Sequence, residues 1–211
     1  MRAGDWLYLA LLGAVGAWRL AEMRISRAHQ RALAARGLGR APDPVFPYMV
    51  GLHTAILVGA AVEVLVTRPT FVAPLFVAAL VVFVAANGLR LWVIRTMADH
   101  WNVNVVGSLS LGVVSGGPFR FVRHPNYAAV FAELVALPLI GGAYVTAALG
   151  AVLHVLVLAR RIADEERVLL ADATYRRVMG SKPRFVPWSS PSSSSLGARA
   201  AERSGTGAPP A

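Results

Sequence analysis

Residues 71–94 form an apolar run whose polar side chains, Asn87 and Arg90, are confined to its second half. About 20 consecutive apolar residues cross the hydrocarbon core of a bilayer as a helix, so this run commits the chain to a membrane. Residues 48–66 form a second run, interrupted by His53 and by Glu63 near its far end, and Thr67-Arg68-Pro69-Thr70 joins the two. An earlier apolar helix is expected over 6–20, flanked by Asp5 on one side and by Arg19, Glu22 and Arg24 on the other. Its n-region holds Asp5 and only Arg2 as a side-chain cation, which favours a retained anchor over a cleaved signal peptide. Residues 127–140 and 144–158 are shorter apolar stretches on either side of Gly141-Gly142. They are expected as a hairpin that tilts little, thins the bilayer or sits against the longer helices. A charged amphipathic helix continues from the second arm to about Val178.

The expected fold class is therefore an all-α integral membrane protein. It has about five membrane helices, the last two a short hairpin, plus a cytoplasmic C-terminal amphipathic helix. Residues 1–188 read as one domain, with a helical scaffold over 1–95 and a ligand-binding half over 96–188; 189–211 is expected to be a disordered Ser/Gly/Ala/Pro-rich tail. Composition agrees: 56% of residues are hydrophobic and 15% charged, where a soluble domain carries about 25% charged residues. The net charge of +10 then points to anionic lipid rather than nucleic acid. The absence of cysteine excludes disulfides, thiolate metal sites and cysteine nucleophiles, and no metal site is expected.

Charge also predicts the topology. The polar stretch 22–47 carries Arg24, Arg27, Arg31, Arg36 and Arg40, and reads as a solvated loop whose first half can be helical. The next connection has only Arg68, the one before the hairpin has Arg120 and Arg123, and the hairpin tip has no charge. Basic residues thus alternate between sides, which puts the N-terminus outside and the C-terminus in the cytoplasm of a bacterial membrane.

Three clusters carry candidate chemistry. In Gly116-Gly117-Pro118-Phe119-Arg120-Phe121-Val122-Arg123-His124-Pro125-Asn126-Tyr127, Pro125 suits the first turn of a helix, whose free amides together with Arg120, Arg123 and His124 can cradle a carboxylate or phosphate. Gly116 and Gly117 would let the backbone approach a ligand closely. On charge alone, a surface loop touching lipid headgroups fits equally well. In the second cluster, His154, Leu158, Arg161 and Glu165 fall on one helix stripe, with Glu166 about 100° around from Glu165. One acid can salt-bridge within the helix while the other accepts hydrogen bonds from ribose-type hydroxyls or an amino group. The bland alternative is a solvated helix with pairs worth only about 0.3–0.5 kcal/mol each. The third candidate is Glu133, on one face of a short apolar helix with Asn126, Val130 and Leu137. It can be a general base or the structural partner of Arg90. Arg90 itself is expected to snorkel to the interface.

Residues Gly117 to Tyr127 resemble the Gly-Pro-Tyr-Arg-Tyr-Val-Arg-His-Pro-x-Tyr signature of the isoprenylcysteine carboxyl methyltransferase family. Arg161-Ile162-Ala163-Asp164-Glu165-Glu166-Arg167-Val168-Leu169-Leu170 resembles its Arg-Ile-x-x-Glu-Glu-x-x-Leu helix, and Tyr175 and Arg184-Phe185-Val186-Pro187 also fit. The resemblance covers about residues 87–188. It implies an S-adenosylmethionine-dependent membrane methyltransferase in which the cofactor is enclosed by the C-terminal half and a lipophilic acceptor enters from the membrane. It also implies that His124 and Tyr127, in the Arg123-His124-Pro125-Asn126-Tyr127 segment, hold the methionine end, with Arg123 or backbone amides nearby. Glu165 or Glu166 would serve the ribose or amino group, and Arg161 would orient the acceptor.

The Pro125-Asn126-Tyr127 run followed by Glu133 and Leu137-Pro138-Leu139 resembles a bacterial branch associated with type III polyketide synthases. That branch implies O-methylation of a long-chain alkylpyrone or alkylresorcinol, with Glu133 as the candidate base and a polyketide synthase as pathway neighbour. The alternatives are carboxyl methylation of a prenylated or other lipidic thioether acid, and a membrane lipid reductase using a nicotinamide cofactor, against which the Glu165-Glu166 helix argues. A third alternative is a non-enzymatic membrane scaffold or small transporter, and five spans with no inverted repeat argue against transport.

Overall fold

The computed structural model describes residues 3–35, 44–98 and 112–187. Residues 99–111, the second half of the basic stretch and the expected tail 189–211 lie outside the described residues. Among the described residues the structure is helical, with no strand: α1 (Ala3–Ala35), α2 (Phe46–Thr67), α3 (Ala73–Met97), α4 (Pro125–Gly141), α5 (Tyr144–Leu169) and α6 (Ala173–Met179). By length and composition α2, α3 and α5 can each cross a membrane, and α4 is a shorter apolar helix.

Prolines set several helix starts. Pro47, Pro74 and Pro125 sit in the first turns of α2, α3 and α4, where a missing amide costs nothing. α2 stops at Arg68, which adopts a left-handed conformation just before Pro69. α6 is capped by Asp172, whose Oδ1 accepts from the Tyr175 amide at 2.7 Å.

α4 is the central helix, packed against α3, α5, α2 and α1. Tyr127, Val130, Glu133, Leu134, Leu137 and Pro138 along it are all buried. The outer helices instead present bare aliphatic faces, for example Val58, Val62, Val81, Val84, Val152 and Leu156, as a lipid-facing surface should. The short hairpin arm thus resolves as the core of the bundle, sitting against longer helices. The second arm is longer than its apolar part: α5 runs unbroken from the apolar stretch through the charged one to Leu169, and a turn then separates it from α6.

α2 and α5 run antiparallel. At one end Glu63 caps α5, accepting from the Val145 amide at 2.9 Å, the Thr146 amide at 2.7 Å and the Thr146 hydroxyl at 2.7 Å. Those amides have no partner inside their own helix, so an acid from α2 satisfies them. Farther along, Gly150 lies against Ile56, where a Cβ would come within 2.9 Å of the isoleucine side chain. His53 then faces His154, ring centroids 5.4 Å apart, and the Met49 sulfur accepts from Arg161 Nη1 at 2.8 Å.

Over 22–35 the helix expected for the first half of the basic stretch forms, but it is not wholly solvated. α1 continues through this stretch as one helix, and both Glu22 and Ser26 are buried. Trp18 Nε1 and Arg19 Nη1 donate to Glu22 from one turn earlier, at 3.0 and 2.8 Å. Near the other end of α1, the Tyr8 hydroxyl donates to the Leu137 carbonyl at 3.1 Å, fixing the helix to α4.

Candidate active site

The loop before α4 makes a 3-10 turn over Gly117–Arg120. Gly117 has φ +52, and a Cβ there would collide with the Thr96 side chain at the end of α3. This glycine therefore serves backbone packing against α3 rather than the approach to a ligand expected from the sequence. Arg120 is also displaced from its expected role: it is exposed and lies over the Phe121 ring, 5.0 Å from its centroid.

Arg123 and His124 converge on one acid. His124 Nε2 lies 3.0 Å from Glu166 Oε1, and Arg123 Nη2 is 3.3 Å from the same oxygen. Arg184 completes the cluster, its Nη2 2.6 Å from Glu166 Oε2 and its Nε 3.1 Å from Oε1. The segment carrying Arg184 is strapped to the loop by two backbone bonds, from the Arg123 amide to the Pro183 carbonyl (2.9 Å) and from the His124 amide to the Arg184 carbonyl (3.0 Å). Lys182 Nζ donates to the Phe119 carbonyl at 2.7 Å, and the Phe185 ring lies 6.2 Å from that of His124.

Glu166 thus takes its partners from other segments, and the pairs within the helix fall to Asp164, with Arg160 at 3.4 Å and Arg167 at 3.3 Å. The Glu166 carboxylate holds the Arg184 guanidinium above its usual pKa, while burial lowers Lys182. Burial, and then the Glu165 charge, push the Tyr175 phenol up to about 12, so it stays protonated at neutral pH.

Glu165 takes the other role open to the acid pair. It accepts from the Tyr127 hydroxyl and lines a cavity of about 430 Å³, a size suited to a small molecule. One wall of this cavity comes from Phe119, Arg123, His124, Pro125, Asn126, Tyr127 and Val130, with Arg161 and Glu165 of α5. Tyr127 stacks on His124 (5.4 Å, 22°), and the Arg161 guanidinium lies 5.5 Å from the Tyr127 centroid. All the expected site residues except Glu133 and Glu166 line the cavity, and Glu166 holds three that do or stand beside it.

The opposite wall comes from α1 and α2, with Arg19, Glu22, Met23, Met49, His53 and Leu57 among its residues. Here lies a charge cluster absent from the sequence reading. Arg90 does not snorkel: it is buried, with Nε 2.8 Å from Glu22 Oε1 and Nη2 2.5 Å from Oε2. Its Nη1 also reaches Asn126 Oδ1 at 3.4 Å. Glu133 is paired with Arg19 rather than with Arg90, and it is buried away from the cavity. Its geometry is that of a structural counter-ion, and the expected role as a base has no geometric support. The signal that could have revealed this cluster was the Arg19 and Glu22 pair at i,i+3 beside an apolar helix.

Residues 77–171 match the model of the isoprenylcysteine carboxyl methyltransferase (ICMT) family. The match spans just under half of the chain. It runs from within α3 to just beyond α5, so α1 and α2 lie outside it. The chain is also 26% identical over 164 residues to the uncharacterized protein YpbQ of Bacillus subtilis, covering 78% of this chain and 95% of that protein. An uncharacterized protein of Haemophilus influenzae is 27% identical over 152 residues, covering 72% and 88% respectively. The match to the ICMT family, together with the apolar helices, supports a multi-pass membrane methyltransferase, and enzymes of that family use S-adenosylmethionine.

The wall residues fit that cofactor. Its carboxylate needs a donor, and Arg123 Nε is buried with no hydrogen-bond partner among the described residues. Its ammonium or ribose hydroxyls need an acceptor, which Glu165 offers, and Tyr127 and Phe119 give aromatic surface.

Proposed function

We propose that the chain is an S-adenosylmethionine-dependent O-methyltransferase acting on the hydroxyl of a lipid-like acceptor, such as a long-chain alkylpyrone or alkylresorcinol. When bound, the cofactor supplies a methyl group on a positively charged sulfur, poised for in-line displacement. Arg123 and His124 would hold its methionine end, and Glu165 its amino group or ribose. Glu166 would act through Arg123 and His124 by fixing both, and Tyr127 would stack beside them. Arg161 stands where the two walls meet, touching both Tyr127 and Met49, which suits the role of orienting the acceptor. The largely apolar lining of the cavity disfavours water, which would otherwise compete for the same geometry.

The observation that carries this reading is the composition of the cavity. A polar wall with a buried guanidinium donor and a carboxylate faces a wall where Leu20, Leu57 and methionines surround charges that are paired with one another. That pairing favours a charged cofactor beside a lipophilic acceptor. A hydroxyl is favoured over a carboxylate acceptor because Arg19 and Arg90 on the lipophilic side are already matched by Glu133 and Glu22. We place the N-terminus outside and the C-terminus in the cytoplasm, by the alternation of basic loops. A type III polyketide synthase is the pathway neighbour this acceptor class suggests.

The test is calorimetric binding of S-adenosylhomocysteine to the purified chain, followed by methyl transfer to pentadecylresorcinol and to farnesylcysteine. Binding with transfer to the resorcinol hydroxyl is the expected result. Transfer to the farnesylcysteine carboxylate alone would move the function to carboxyl methylation. No binding would reject the methyltransferase reading altogether.

A further inference from the structure

His53 lies on the α2 face that lines the cavity, between Val50 and Thr54. Its Nε2 is shielded from solvent and has no hydrogen-bond partner among the described residues. Buried polar atoms without partners are rare in folded proteins and call for an explanation. The ring is backed by that of His154, which is fully buried and itself stacks on Phe131 at 5.9 Å and 14°. His53 is therefore held in place from behind.

The other polar groups on the α1 and α2 wall are committed. Glu22 accepts from Trp18, Arg19 and Arg90. Arg19 also holds Glu133, and the Thr54 hydroxyl donates to the Val50 carbonyl at 2.9 Å. His53 is thus the side chain on this wall with an uncommitted ring nitrogen. Its place along α2 matters too. It is four residues beyond Met49, which touches Arg161, and so about 6 Å farther along the helix axis. The Tyr127 and Glu165 side of the cavity lies across Arg161 from it.

We propose that His53 receives the hydroxyl of the acceptor and takes its proton during methyl transfer. This rests on the O-methyltransferase reading and adds to it the base that Glu133 does not supply. A neutral imidazole accepts a hydrogen bond at one nitrogen and can take up a proton there. In the step, the acceptor O–H bond breaks and its proton passes to Nε2. The oxygen forms a bond to the methyl carbon, and the bond from that carbon to sulfur breaks, leaving a neutral thioether. The charge balances: one positive charge on sulfur becomes one on the imidazole, which then releases its proton. The charged groups around His53 are Arg19, Arg90 and Arg161, with His154 beside it; Glu133 and Glu22 neutralise Arg19 and Arg90, which leaves Arg161 to favour the oxyanion developing on the acceptor.

The test uses the full chain in lipid nanodiscs with two probes, pentadecylresorcinol and pentadecylbenzene, which share a tail and differ in the hydroxyls. Wild type should bind the resorcinol more tightly, and His53→Phe should lose about 3–10-fold of that preference, the worth of one hydrogen bond, with pentadecylbenzene unaffected. His53→Gln keeps a hydrogen-bonding side chain but no base. It should retain S-adenosylhomocysteine affinity while methyl transfer falls about 100-fold. An unchanged preference in His53→Phe, or wild-type transfer in His53→Gln, overturns the assignment while leaving the methyltransferase reading intact. Absence of S-adenosylhomocysteine binding in wild type rejects that reading and the proton transfer with it. Comparing thermal midpoints of the two variants separates loss of folding from loss of the contact.

Discussion

The wall of the cavity built by α4, α5 and the loop before α4, backed by the segment 183–187, differs from the wall built by α1 and α2 in how its charges are arranged. On the first, a single acid, Glu166, gathers Arg123, His124 and Arg184. Positive donors outnumber the carboxylate, and a buried guanidinium nitrogen remains for a ligand. On the second, Arg19 and Arg90 meet Glu22 and Glu133 in equal number, so the cluster is closed on itself. The charges of the first wall leave a buried donor uncommitted, whereas those of the second hold α1 against α3 and α4. The family match covers α4 and α5 and leaves out α1 and α2.

The strongest way to break this contrast is to unbalance the closed cluster. Glu22→Ala leaves Arg90 buried without its carboxylate, and removing one partner of a buried pair costs about 3–5 kcal/mol. The thermal midpoint in detergent should fall sharply, and Glu22→Leu combined with Arg90→Leu should recover most of the loss. S-adenosylhomocysteine affinity of whatever stays folded should change little. A large loss of affinity would show that the two walls are not independent.

A smaller effect is expected on the binding wall. His124→Ala removes a partner of Glu166 and the ring that stacks on Tyr127. Hydrogen bonds to charged groups are worth about 1.5–3 kcal/mol, so S-adenosylhomocysteine should bind about 10–100-fold more weakly. The thermal midpoint of the ligand-free chain should move less than in Glu22→Ala. Titration calorimetry and thermal denaturation on the same preparations decide the matter.

The binding wall was the more legible of the two. Two motifs at fixed spacing marked His124, Tyr127, Glu165 and Glu166, and the 100° between adjacent helix positions meant that the two acids had to face different ways. Which acid faced the cavity was not readable, because Arg184 and Tyr127 from other segments set that choice. The closed cluster was harder to see. Glu22 and Arg90 are 68 positions apart, and a charge at the end of an apolar run looks the same whether it snorkels or meets a partner. His53 read as a mere interruption of a span, since one imidazole gives no periodic signal. The apolar runs gave the helices, but not that the shortest is central, because the length of a helix does not say what surrounds it.

Between the walls, the antiparallel contact of α2 and α5 fixes their separation. Gly150→Ala places a methyl 2.9 Å from Ile56, and overpacking of this kind costs about 1–3 kcal/mol. It should lower the thermal midpoint and shift the His53 side of the cavity away from α5. The expected consequence is a raised KM for the lipid acceptor with S-adenosylhomocysteine affinity nearly unchanged. Equal losses for both ligands would mean that one wall cannot move without the other.

The smallest effect sharpens the comparison within a single helix. Arg160 and Arg161 are adjacent, yet Arg160 is 72% exposed and pairs with Asp164 in solvent, while Arg161 is buried against Met49 and Tyr127. Exposed pairs contribute about 0.2–1 kcal/mol, so Arg160→Ala should change the thermal midpoint and acceptor kinetics only marginally. Arg161→Ala should raise the acceptor KM strongly under the same conditions, because the group that bridges the two walls is gone. Equivalent kinetics for the two variants would remove Arg161 from the acceptor site and reduce both arginines to the charged end of a membrane helix.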